Sequence, residues 1–172
     1  VQADNVTIRC GRIQGNNDEN ILATSSSNLT IEWVESENFS SGKKNKNIEG
    51  GDFTLYRGHF YGGGDVVHIN SSDTNTTIEE SYIHDPVLVA DDHIDGIQMT
   101  RGGSSGGCPT NRNINILSSI VIGPYKAQNS SVQVNVATNF LIENSYLWGG
   151  QWTLSGDSRC GADGTARDNY FG

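Results

Sequence analysis

The chain is short of several things, and each shortage narrows the reading. It has three cysteines, three prolines and one methionine in 172 residues. No apolar run approaches the ~20 residues that span a bilayer, so no membrane insertion is expected. No window carries an apolar stripe at the helical period of 3.6, so helices are not expected to dominate. Basic residues number 11 against 20 acidic ones, for a net charge of −9. Nucleic acid and anionic membranes select basic surfaces, so neither is an expected partner, whereas a cation is compatible with this balance. The cysteines lack the spacing of zinc ligands. There is no initiator methionine and no signal-like segment, which reads as a mature or trimmed form. The length suits one domain, residues 1–172, with a modest core.

What is present is a repeat. Val6-Thr7-Ile8, Leu29-Thr30-Ile31, Phe53-Thr54-Leu55, Thr76-Thr77-Ile78, Ile114-Asn115-Ile116 and Phe140-Leu141-Ile142 share one pattern. Their third positions are spaced 31−8 = 23, 55−31 = 24, 78−55 = 23, 116−78 = 38 and 142−116 = 26 residues. A period in this range signals stacked repeats. The apolar–polar–apolar alternation is that of a strand with one buried face. Second short strands follow at Val67-His68-Ile69, Ile97-Gln98-Met99, Val132-Gln133-Val134 and Trp152-Thr153-Leu154. The expected fold is an all-β, right-handed parallel β-helix (β-solenoid) of about six to seven coils with uncapped ends, coils pairing at roughly 4.8 Å. Ends of that kind imply either a piece of a longer chain or a subunit that self-associates end to end.

The alignment assigns faces. Ile8, Ile31, Leu55, Ile78, Ile116 and Ile142 form one inward column, and Trp152 is assigned inward with Val67, Ile97 and Val132. Glu80, Ser118 and Asn144 fall in register at a turn, where stacked polar side chains can bond along the axis. The outward threonine column breaks at Asn115 and Leu141, which argues against a flat ice-binding lattice. The 38-residue interval carries insertions at 85–92 and 100–110, and long loops on a regular scaffold are where function concentrates.

Six Asn-x-Ser/Thr sequons occur, at Asn5, Asn28, Asn38, Asn70, Asn75 and Asn129, and are candidate glycosylation sites. Asparagine and threonine also suit strand starts and turns for backbone reasons alone. Cys108 and Cys160 follow equivalent strands two coils apart, in glycine-rich loops, and are expected to form a disulfide; three reduced thiols are the alternative. Cys10 is then left over.

The densest polar group runs from Tyr82-Ile83-His84-Asp85 through Asp91-Asp92-His93-Ile94-Asp95-Gly96-Ile97-Gln98. Coil stacking aligns Asp65 with Asp95 and His68 with Gln98. Two carboxylates about one strand spacing apart approach the arrangement of a retaining glycoside hydrolase. They also suit Ca2+, with Asp91, Asp92 and Asp95 as ligands. The plain structural alternative is that Asp before Gly closes a turn by accepting backbone amides. His84 and His93 flank the insertion, and either can exchange a proton near neutral pH. A lyase acting on an acidic sugar also needs a cation to stabilise the enolate, for which Arg101 is nearest, with Arg57 and Lys126 behind it. Trp148 and Tyr125 are candidate platforms for sugar rings, beside Gln98 and His68 as substrate-binding residues.

Tyr82-Ile-His-Asp, His93-Ile-Asp-Gly-Ile-Gln, Asn113-Ile-Asn-Ile and Glu143-Asn-Ser-Tyr-Leu-Trp-Gly-Gly together resemble secreted right-handed parallel β-helix proteins of the pectate-lyase-like superfamily. The arginine-bearing motif of established pectate lyases has no counterpart at a matching position. The resemblance implies an extracellular or cell-surface protein that binds or cleaves an acidic polysaccharide, as a lyase or glycoside hydrolase, often with Ca2+. The catalytic candidates are Asp95, Asp65, His84, His93 and Arg101, and Asp95→Ala is expected to abolish turnover while sparing the fold. A glycosylated solenoid that stacks into a filament or stalk without catalysis is the alternative.

Overall fold

A strand with one apolar edge buries it only against another element, and a coil of three such strands closes around its own core. The computed structural model of the chain shows this arrangement. It describes residues 4–15, 18–24, 26–39, 45–70, 73–88, 93–100, 111–125, 129–135, 137–156 and 163–172. These residues are all-β without a helix, and their parallel strands stack as a β-solenoid of about five turns.

Three banks of strands line the coils. The first holds Phe53–Tyr56, Asp73–Glu79, Asn111–Leu117, Asn139–Glu143 and Gly164–Arg167. The second holds His59–Gly62, Tyr82–His84, Ile120–Ile122, Tyr146–Trp148 and Tyr170–Phe171. The longer strands Thr7–Gly15 and Leu29–Asn38 run through both banks and join them into one 12-stranded sheet. The third bank is a separate six-stranded sheet of Glu19–Ala23, Lys46–Gly50, Val67–Ile69, Ile97–Met99, Ser130–Val134 and Trp152–Gly156. The expected inward column is in register through the first bank: Ile8, Ile31, Leu55, Ile78, Ile116, Ile142. All but Ile8, which is partly covered, are buried.

A left-handed residue recurs at the bend between the first two banks. Cys10, Trp33, Arg57, Glu80, Ser118, Asn144 and Asp168 have φ between 47° and 58°. Each costs roughly 1–2 kcal/mol for a residue with a Cβ. The following position offsets this with a buried ladder. Gly58 N–H donates to Ser81 Oγ (3.0 Å), Ser81 N–H to Ser119 Oγ (3.1 Å), Ser119 N–H to Ser145 Oγ (3.1 Å) and Ser145 N–H to Asn169 Oδ1 (2.9 Å). Each serine hydroxyl donates back to the carbonyl two residues earlier, so the amides that the bend withdraws from the sheet stay paired. On the outside, Asn144 Nδ2 donates to Ser118 Oγ at 3.1 Å, as the shared register implied.

Trp152 corrects the sequence alignment. It pairs with Ser130, while Leu154 takes the place opposite Val132, and the indole is 47% exposed. A slip of two residues keeps the same side-chain parity, so alternation alone does not reveal it.

Candidate functional site

One position of each third-bank strand, between two inward-facing residues, points outward. In register these are Leu22, Glu49, His68, Gln98, Gln133 and Ser155. The polar side chains of this row are tied to one another and to their neighbours by hydrogen bonds. Gln98 Nε2 donates to Gln133 Oε1 at 3.0 Å, and His68 Nε2 pairs with Thr100 Oγ1 at 2.7 Å. Asn70 Nδ2 donates to Glu49, and Lys46 Nζ lies 3.6 Å from the same carboxylate. His68 beside Glu49 holds its carboxyl down at about 2, against the opposing effect of burial. At 3.8 Å this His68 contact is electrostatic, not a formed hydrogen bond.

The aspartates lie just before these strands, on the coil-to-coil seam. Asp95 N–H donates to Asp65 Oδ1 (2.9 Å), Ser130 N–H to Asp95 Oδ1 (2.6 Å) and Ile94 N–H to Asn129 Oδ1 (2.9 Å). Both aspartates are buried. The alignment of Asp65 with Asp95 therefore places them together, with each carboxylate accepting a backbone amide of the next coil. A retaining hydrolase needs both carboxyl groups to reach the sugar, and here neither is presented to solvent. Asp95 also does not fit a Ca2+ site. Its Oδ1 takes the Ser130 amide, and its Oδ2 faces Gln98 Nε2 (3.1 Å) and His93 Nδ1 (2.9 Å), donors where a cation would stand. Asp91 and Asp92, the other expected ligands, lie outside the described residues, as do Arg101, Lys126, Cys108 and Cys160.

These bonds form a circuit with one consistent proton assignment. Gln98 donates to Gln133 Oε1, so the Gln133 amide nitrogen faces His93 Nε2 at 3.2 Å. His93 Nε2 is then the acceptor and Nδ1 carries the hydrogen, turned toward Asp95 Oδ2. The ring approaches that oxygen obliquely; such contacts often tighten only when substrate binds. His93 is 33% exposed, whereas Asp95 is fully enclosed. The chemistry available is general base catalysis at His93 Nε2, with Asp95 as a positioning residue behind it.

Burial pushes the Asp65 carboxyl up to about 7, with Asp95 adding to the rise and His68 opposing it. An unfolded aspartate titrates near ~3.9. Between about pH 4 and pH 7 the unfolded chain thus releases a proton that the folded chain keeps, and stability falls as pH rises through that window. Asp65→Asn keeps the oxygen that accepts the Asp95 amide and removes the titration. We expect it to raise the urea midpoint at pH 8 while changing it little at pH 4; equal midpoint shifts at both pH values would remove Asp65 as the cause.

The structure separates the other candidates. His84 lies on the second bank, in a network with His59 and Asp85, and does not share the His93 circuit. Trp148 and Tyr125 meet edge to face there, centroids 5.0 Å apart, both exposed. Asn5, Asn28 and Asn75 are exposed, and Asn28 Nδ2 donates to Asn5 Oδ1 at 3.2 Å. Two expected glycan acceptors are corrected. Asn38 is buried with Nδ2 donating to Asp18 O (2.9 Å) and Lys46 O (3.0 Å), and Asn129 is fully buried on the seam, so neither leaves room for a sugar. Asn70 is half-buried and spends its amide on Glu49. Gln133 and Glu49 were not singled out by sequence, though stacking the second strands of each coil places Gln133 over Gln98 and completes the ladder.

No protein-family model matches the chain, no curated protein is detectably similar to it, and no solved structure matches it.

Proposed function

We propose that the chain is an extracellular carbohydrate-active β-solenoid protein that binds a polysaccharide along the outward face of the six-stranded sheet and acts on it through His93. One observation carries the reading: a partly exposed imidazole held against a fully buried carboxylate, at the middle of a row of hydrogen-bonding side chains that follows the stack. Glu49, His68, Gln98, Gln133 and Ser155 offer donors and acceptors at successive coil spacings of roughly 4.8 Å. That is the pattern a chain of hydroxylated rings requires. The sequence motifs at 93–98 and 143–150 that resemble pectate-lyase-like proteins are the reason for proposing this substrate class and a secreted location, and exposed Asn5, Asn28 and Asn75 are the acceptors we propose for glycans. In the reaction, His93 Nε2 exchanges the Gln133 amide for a substrate proton, and Asp95 stabilises the imidazolium that forms.

The test is incubation of the purified chain with acidic and neutral polysaccharides, following new reducing ends and the ultraviolet absorbance of unsaturated products. His93→Gln should cut turnover by about 10²-fold or more and leave the thermal midpoint unchanged. Full turnover by that variant would overturn the assignment. Absence of binding to every glycan, with rods forming as concentration rises, would assign the chain to a structural role instead.

A further inference from the structure

A second group of titratable side chains stands on the outer face of the second bank, on a different sheet from His93. His59 and His84 approach nitrogen to nitrogen, Nε2 to Nε2 at 2.7 Å, with ring planes 21° apart. His84 Nδ1 lies 2.8 Å from Asp85 Oδ2. Tyr82 and Tyr61 hold both rings in place. Tyr82 stacks on His84 at 4.0 Å and on His59 at 5.4 Å, and Tyr61 packs on the two at 5.2 Å and 4.8 Å.

The protons follow from donor and acceptor rules. An ionised carboxylate only accepts, so His84 carries its hydrogen on Nδ1 toward Asp85. Its Nε2 is then a lone pair, and His59 supplies the hydrogen of the shared bond from its own Nε2. That leaves His59 Nδ1 unprotonated. His59 is exposed, and among the described residues its Nδ1 makes no hydrogen bond.

We infer that Asp85, His84 and His59 form a proton relay that presents His59 Nδ1 as a second general base, for a saccharide lying along the outer face of the second bank. A substrate O–H or C–H bond breaks, its electron pair stays with the substrate, and the proton joins His59 Nδ1. The resulting charge is stabilised through His84 by Asp85, so these two are positioning residues. Glu35 stands opposite His59 in register and also favours the protonated ring; it accepts the Tyr61 hydroxyl at 2.7 Å, and Arg12 Nε lies 3.4 Å from it. Arg12 is itself bound to Glu37 at 2.8 Å. Burial, and then His84, lower the His59 pKa below the ordinary value, which keeps the ring neutral and ready to accept near pH 7. The ligand class follows from what continues the row. Tyr82, Ile120, Tyr146 and Tyr170 succeed His59 in register, all exposed, and give sugar rings apolar surface beside the base.

The inference is independent of His93 and has its own readouts. In 15N-resolved spectra of the whole chain at pH 7.5, His84 should appear as the Nδ1–H tautomer and His59 as the Nε2–H tautomer. Asp85 has a left-handed φ of 49°, which glycine accepts, so Asp85→Gly removes the carboxylate without backbone strain. That variant should mix the His84 tautomers and slow carbethoxylation of His59 by diethyl pyrocarbonate several-fold. Cellohexaose or a galacturonate oligomer should shift the Tyr82, Tyr146 and His59 resonances. A hydrogen on His59 Nδ1, an unchanged His84 tautomer in Asp85→Gly, or no shift with either oligosaccharide would overturn the proposal.

Discussion

Asp95→Asn should leave the protein folded and remove its activity, while Asp95→Ala should damage both. Alanine strands the buried Ser130 amide and one hydrogen of the part-buried Gln98 amide. At about 1–3 kcal/mol for each orphaned group, the cost is about 2–6 kcal/mol. The sequence-based expectation that alanine spares the fold therefore does not survive the structure. Asparagine keeps an oxygen for the Ser130 amide, but its nitrogen faces Gln98 and His93. The circuit relieves this by reversing: Gln98 and Gln133 flip their amides, and the His93 hydrogen moves to Nε2. The base is then capped by its own proton. Stability within about 1 kcal/mol of the parent, with turnover lower by about 10²–10⁴-fold, is the expected pair of results. Urea unfolding gives the first and cleavage assays the second. Asparagine with full turnover would show that the His93 tautomer does not matter.

The second large effect lies in the core. Phe60 is fully buried between Ser36 and Ile83 in the inward column of the second bank. Phe60→Ala leaves a cavity that the two neighbouring coils, fixed by their own hydrogen bonds, fill only in part. A loss of about 3–5 kcal/mol is expected by urea unfolding. Ile120→Ala, on the outer face of the same bank and 43% exposed, should stay within about 1 kcal/mol. Similar losses from both would mean that the faces are wrongly assigned.

The stack was legible because alternation and period are both local. Ile31, Leu55, Ile78, Ile116 and Ile142 declare their face through their flanking residues, and equal spacing then brings them together. From that register the Asp65–Asp95 and His68–Gln98 pairings follow directly. Other features depend on distances that no pattern carries. Asp95 looks like an exposed acid until the Ser130 amide, 35 residues later, is seen to occupy it. Asn38 and Asn129 satisfy a three-residue rule that is blind to burial. His84 finds its partner in His59, 25 residues earlier and one column across, which alignment of like with like does not suggest. Trp152 shows the limit of parity: alternation reads the same in both registers, and the two-residue slip lies just after Gly149 and Gly150, both at positive φ.

Methyl–methyl contacts in an isotope-edited nuclear Overhauser spectrum test the stacking most directly. The account predicts contacts between Ile31 and Leu55, Leu55 and Ile78, Ile78 and Ile116, and Ile116 and Ile142, each to its nearest coil, and none between Ile31 and Ile142. A contact between Ile31 and Ile142, or none between Ile78 and Ile116 across their 38-residue interval, would contradict it.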